Sequence, residues 1–166
     1  MNTVLLILHV LTAVLFLGPV TVATSTFHTH AMKVREGNPD AVHAAGAAKV
    51  MHKITNVYGI LSLLVPMFGV AIMFTDMGLY FRDGRYHLSI GLAIIAWALL
   101  FFLIIPKQRT MMGALGLKED FEEGDQAYVI NDWGKAKKQL SMFGGIFALL
   151  WVVMGIVMFL PQNFGL

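Results

Sequence analysis

Residues 3–27 read TVLLILHVLTAVLFLGPVTVATSTF and contain no Asp, Glu, Lys or Arg. A helix rises about 1.5 Å per residue, and a bilayer's hydrocarbon is about 30 Å thick, so this run is long enough to cross it. Three more runs are equally bare of charge: 54–75, 87–106 and 139–166. No alternation of polar and apolar residues marks a β-strand. In hydrocarbon each backbone N–H must be satisfied within its own helix. The pattern therefore predicts an all-α, four-transmembrane-helix bundle forming one domain over 1–166, with spans at about 3–27, 54–75, 87–106 and 139–160.

Composition agrees. The 166-residue chain is 57% hydrophobic and 13% charged, with no cysteine. A soluble domain carries about 25% charged residues. That excludes an ordinary soluble enzyme, a disordered tail and a nucleic-acid-binding module. The missing thiols exclude disulfides, thiolate metal sites and thiol catalysis. Only Met1 and Asn2 precede the first run, with no basic n-region, so the run is expected to stay as helix 1 rather than be cleaved as a signal peptide.

The charges set an orientation. The helix 1–2 connection carries Lys33, Arg35, Lys49 and Lys53, and the helix 3–4 connection Lys107, Arg109, Lys118, Lys135, Lys137 and Lys138. The helix 2–3 connection holds only Arg82 and Arg85. Ten basic residues against two place the long connections in the cytoplasm of a bacterial plasma membrane, with both termini outside. Gly37 suits a helix C-terminus, and Asn38-Pro39 suits the start of the next helix near Asp40. Val129, Ile130, Trp133, Ala136 and Leu140 fall on one helical stripe. Helices 1–2 and 3–4 are thus expected to extend into cytoplasmic hairpins, where the lysines meet anionic lipid. The acidic run Glu119–Asp125 reads as the turn of the second hairpin. Pro19 and Pro66 are expected to kink helices 1 and 2.

Small residues allow helices to approach in lipid. On helix 4, Ser141, Gly144, Gly145 and Ala148 make two small-xxx-small pairs, for packing within the bundle or against a partner subunit. His9 is the one ionisable residue deep in a span, roughly 10 Å below the outer surface. Three readings stay open for it: a hydrogen bond to a neighbouring helix, an axial haem b ligand, or a partner contact. Met67 on helix 2 matches it in depth, and a His/Met pair is a known haem ligation. His28, His30 and His43 read as solvated. No span holds the carboxylates or lysines of a proton relay, and no phosphate loop or nucleophile elbow is present.

The string Leu8-His9-Val10-Leu11-Thr12-Ala13-Val14-Leu15-Phe16-Leu17-Gly18-Pro19 resembles the first helix of uncharacterised bacterial four-helix membrane proteins. These are distantly similar to the copper-resistance D-type and haem-binding protoporphyrinogen-oxidase-type membrane families. In the haem-binding relatives a first-helix histidine is functional, and His9 is the matching position. The whole chain also resembles, in size and paired hairpins, small accessory subunits of actinobacterial respiratory supercomplexes. That resemblance implies a structural role, without catalysis, beside larger integral membrane subunits.

Overall fold

The computed structural model describes residues 3–117 and 128–161, and every regular element among them is a helix. Four are long and apolar enough to cross a membrane: α1 (Thr3–Arg35), α2 (Ala41–Met73), α4 (Gly84–Ala114) and α5 (Trp133–Phe159). A single turn, α3 (Met77–Tyr80), lies between α2 and α4. The 33 residues of α1 and of α2 each rise about 50 Å, more than the hydrocarbon needs.

Both long connections leave from one end of the bundle. There the Arg35 guanidinium of α1 lies 5.1 Å from the Trp133 ring centroid of α5. At the far end the Arg85 guanidinium of α4 donates to the Leu160 carbonyl after α5. The described lysines Lys33, Lys49, Lys53, Lys107, Lys135, Lys137 and Lys138 therefore belong to one basic end.

Prolines and glycines shape the helices as their chemistry requires. Proline donates no N–H to the carbonyl four residues back and crowds it. In α1 that carbonyl, Leu15, lies inside a wider π turn, Ala13–Leu17, just before Gly18-Pro19. In α4 the same device recurs: a π turn over Leu100–Ile104 precedes Ile105-Pro106. In α2 the regular helix is broken between Leu61 and Leu64, and the Ser62 carbonyl opposite Pro66 takes the Val65 N–H instead, at 3.0 Å. Helices α1 and α4 also end alike. Gly37 (φ 61°) and Gly116 (φ 66°) adopt the left-handed conformation that favours glycine. Asn38 N–H then reaches Lys33 O at 3.2 Å, and Leu117 N–H reaches Met112 O at 2.9 Å, closing two Schellman motifs.

Two boundaries differ from the sequence reading. Asn38 Oδ1 accepts from Asp40 N at 3.1 Å, so it caps a turn and regular helix starts one residue later, at Ala41. Val129 and Ile130 are not helical. Asp132 is extended and its Oδ1 accepts from Lys135 N at 2.8 Å, which starts α5 at Trp133. Ile130 still packs on the core. The acidic run Glu119–Asp125 and Lys118 lie outside the described residues.

The core is lopsided. Phe27, Leu100, Ile104, Leu140 and Phe147 are fully buried, and the main apolar cluster joins α1, α2, α4 and α5 around them. A second, smaller cluster of Ile72, Met73 and Tyr80 closes the far end, with Leu5 and Leu6 of α1 against it.

Candidate functional site

His9 sits at the centre of the inward arc of its helix. Leu5, Leu6, His9, Thr12, Ala13 and Phe16 are half-buried, while Val4, Ile7, Val10, Leu11, Val14 and Leu15 on the other side are exposed. The His9 ring faces α2, where Nδ1 lies 2.8 Å from the Val65 carbonyl. A carbonyl only accepts, so Nδ1 carries a proton and donates it to Val65 O. Gly69, one turn beyond Val65, makes room for the ring: a Cβ there would stand 3.2 Å from His9 Cε1. Thr12 and Thr21 back-bond along α1, to Leu8 O at 2.8 Å and Leu17 O at 2.7 Å.

Met67 does not join His9. Val65 and Gly69 share one face of α2, and Met67 is about 200° around the helix from each. Its side chain is 53% exposed. Depth alone, read from the sequence, had matched them; azimuth separates them.

The small residues of α5 divide into two faces. Gly144 is buried, and a Cβ on it would stand 2.8 Å from the Thr24 carbonyl oxygen of α1. Ala148, one turn on, is half-buried, so this pair serves the bundle's own crossing. Ser141 and Gly145 point outward, and a Cβ on Gly145 would meet nothing within 4 Å. Exposed Met142, Ile146, Leu149 and Val152 flank them.

A polar cluster near the basic end went unread in the sequence. Gln108 of α4 is completely buried, and its Oε1 accepts from His52 Nδ1 of α2 at 3.2 Å. Asn56 Nδ2 donates to the His52 carbonyl at 2.9 Å. That amide nitrogen is 3.0 Å from His52 Nε2 and 3.4 Å from Nδ1, so it lies over the ring rather than in its plane. Phe27 packs against the same imidazole, ring centroids 6.2 Å apart. His28, expected to be solvated, is buried, since it shares with Thr24, Phe27 and Ala31 the α1 face turned to its neighbours. His28 Nδ1 and Gln108 Nε2 are buried without a hydrogen-bond partner among the described residues. His30 is half-buried and His43 exposed. Only the four-residue spacing of His52 and Asn56 hinted at this cluster. Gln108 was hidden between Lys107 and Arg109, where it read as part of a basic connection.

Between these regions the tryptophans stack. Trp97 and Trp151 meet edge to face with centroids 5.1 Å apart. Trp97 Nε1 donates to Ser62 Oγ at 2.9 Å, and Ser62 Oγ donates to Gly59 O at 2.6 Å, at the break in α2. Among the described residues, no three His, Asp or Glu side chains converge to hold a metal ion.

No family model, curated protein or solved structure matches this chain.

Proposed function

We propose that the chain is a non-catalytic accessory subunit of a larger bacterial membrane complex, oriented with its basic end in the cytoplasm. The observation that carries this reading is the outward Ser141/Gly145 face of α5. Lipid gives no hydrophobic drive between helices, so association depends on close packing at small residues. The chain uses Gly144 for its own crossing and leaves the adjacent pair open to another helix. The likeness in size and paired hairpins to respiratory supercomplex subunits makes a cytochrome bc–oxidase assembly the leading partner. Purification in mild detergent should recover larger subunits with the chain, and Gly145→Leu should lose them while the bundle still folds. Recovery of the chain alone from native membranes would sink this reading. A C-terminal reporter that is active only in the cytoplasm would overturn the orientation.

One observation favours a second reading, a haem b-binding oxidoreductase. His9 Nδ1 donates to the Val65 carbonyl, as the non-ligating nitrogen of a metal-bound histidine commonly donates to a backbone carbonyl, which leaves Nε2 to face a ligand. Met67 does not fit as the other ligand; a haem held by His9 would supply one-electron chemistry. A Soret band in the separated chain, lost in His9→Ala, would support it. A colourless chain from haem-replete cells would dispose of it.

A further inference from the structure

We propose that the groove between the C-terminal part of α4 and the first turns of α5 binds one anionic phospholipid by its phosphate headgroup. A cavity of about 360 Å³ opens there, lined by Lys107 and Thr110 of α4, Asn131 and Asp132 before α5, and Lys135 and Gln139 on it. A depression of about 290 Å³ on α5 itself shares Lys135 and Gln139 and continues to Lys138 and Met142. The two form one groove carrying three lysines.

The groove is built rather than merely basic. Lys107 Nζ donates to Gln139 Oε1 at 2.8 Å and lies 5.9 Å from the Phe143 ring centroid, which holds the ammonium at the groove wall. Asp132 is the one acid among the described lining residues, and its carboxylate caps α5 at Lys135 N, 2.8 Å away. Three cations and one engaged carboxylate give the described lining a positive balance. Charge-assisted bonds from several lysines suit a phosphate diester, and basic pockets between transmembrane helices at this depth are typical headgroup sites. The occupant is a lipid rather than free phosphate because the groove lies at the boundary of two bare spans. Lys107 follows the charge-free run 87–106, and Gln139 opens the run 139–166. From there the lining turns apolar at Met142, where an acyl chain would lie along α5.

The test is native mass spectrometry of the full chain released from nanodiscs containing equal phosphatidylglycerol and phosphatidylcholine. One phosphatidylglycerol should be retained with about tenfold preference over phosphatidylcholine. The triple variant Lys107→Gln, Lys135→Gln, Lys138→Gln should reduce that preference to about twofold or less. A charge-matched control, Lys33→Gln, Lys49→Gln, Lys53→Gln, should keep it. Equal loss in both variants would mean diffuse surface attraction and overturn the site. Displacement of the lipid by millimolar glycerol 3-phosphate would reassign the groove to free phosphate. Lys135→Gln alone, checked for unchanged helicity, keeps the outcome readable if the triple variant fails to fold.

Discussion

The two halves of α1 have opposite fates, and the more apolar half is the exposed one. From Thr3 to Thr12 no residue is buried, and the strand of contacts to the rest of the chain runs through the His9–Val65 hydrogen bond and the small far-end cluster. From Gly18 to Arg35, Val20, Ala23, Thr24, Phe27, His28, Ala31 and Met32 are all buried against α2, α4 and α5. The π turn at Ala13–Leu17 separates the regimes. Hydropathy does not decide which half is used; side-chain size and backbone approach do. The basic-end half presents Ala23, Thr24 and Ala31 to close crossings, whereas the first half presents Val, Leu and Ile to whatever surrounds it. Each end of the bundle also has one histidine whose Nδ1 meets an acceptor on a neighbouring helix. The acceptor is a backbone carbonyl for His9; at the basic end His52 of α2 meets the buried amide Gln108.

The sharpest way to break this comparison is at adjacent glycines. Gly144→Leu must drive a side chain into the Thr24 carbonyl, and overpacking of this kind costs about 2–3 kcal/mol. Unfolding in detergent should show that loss, while Gly145→Leu should melt like the parent. Equal destabilisation by both would mean that the crossing does not hold the basic-end half together. The next effect is at Gln108. Gln108→Leu removes the acceptor for His52 Nδ1 inside the bundle, and an orphaned buried donor costs about 1–2 kcal/mol. The double variant Gln108→Leu, His52→Leu should recover part of this in the same melt. If it recovers nothing, the pair is not coupled.

The four spans, the single helical class and the placement of the basic residues were legible because hydrocarbon imposes length and charge constraints that a one-dimensional reading measures directly. The glycine ends were legible too, since Gly37 has a local backbone role. What the sequence could not convey was azimuth. Met67 and His9 share a depth but not a face, and Ser141 and Gly144 differ by only three residues yet face outward and inward. Gln108 was invisible for a related reason. Its flanking Lys107 and Arg109 suggest water, but helical rotation turns the residue between them into the core. The extended stretch before Trp133 was misread because a helical stripe continues across Val129 and Ile130, and only the Asp132 cap ends it.

Smaller effects test the far end. His9→Ala removes one interhelical hydrogen bond from a half-buried site. Such bonds in membranes are worth about 0.6 kcal/mol on average, so the melt should shift by less than for Gln108→Leu. A shift as large as that at Gln108 would mean the first half of α1 is held far more firmly than its exposure implies. Smallest is the ion pair at the start of α4, where the capping residue Asp83 meets the Arg85 guanidinium. Hydrogen bonding to Arg85 holds the Asp83 carboxyl below its ordinary range. A lowered folded-state pKa adds stability above the unfolded value, about pH 4, and that stability is lost as acid protonates the folded carboxylate. The difference in melting temperature between the parent and Asp83→Asn should therefore be small at neutral pH and vanish in acid. It should also shrink in high salt, which screens the pair. A difference that grew on acidification would reverse the sign and show that Asp83 is better accommodated protonated. The Arg85 bond to Leu160 would then be the contact that ties α4 to the end of α5.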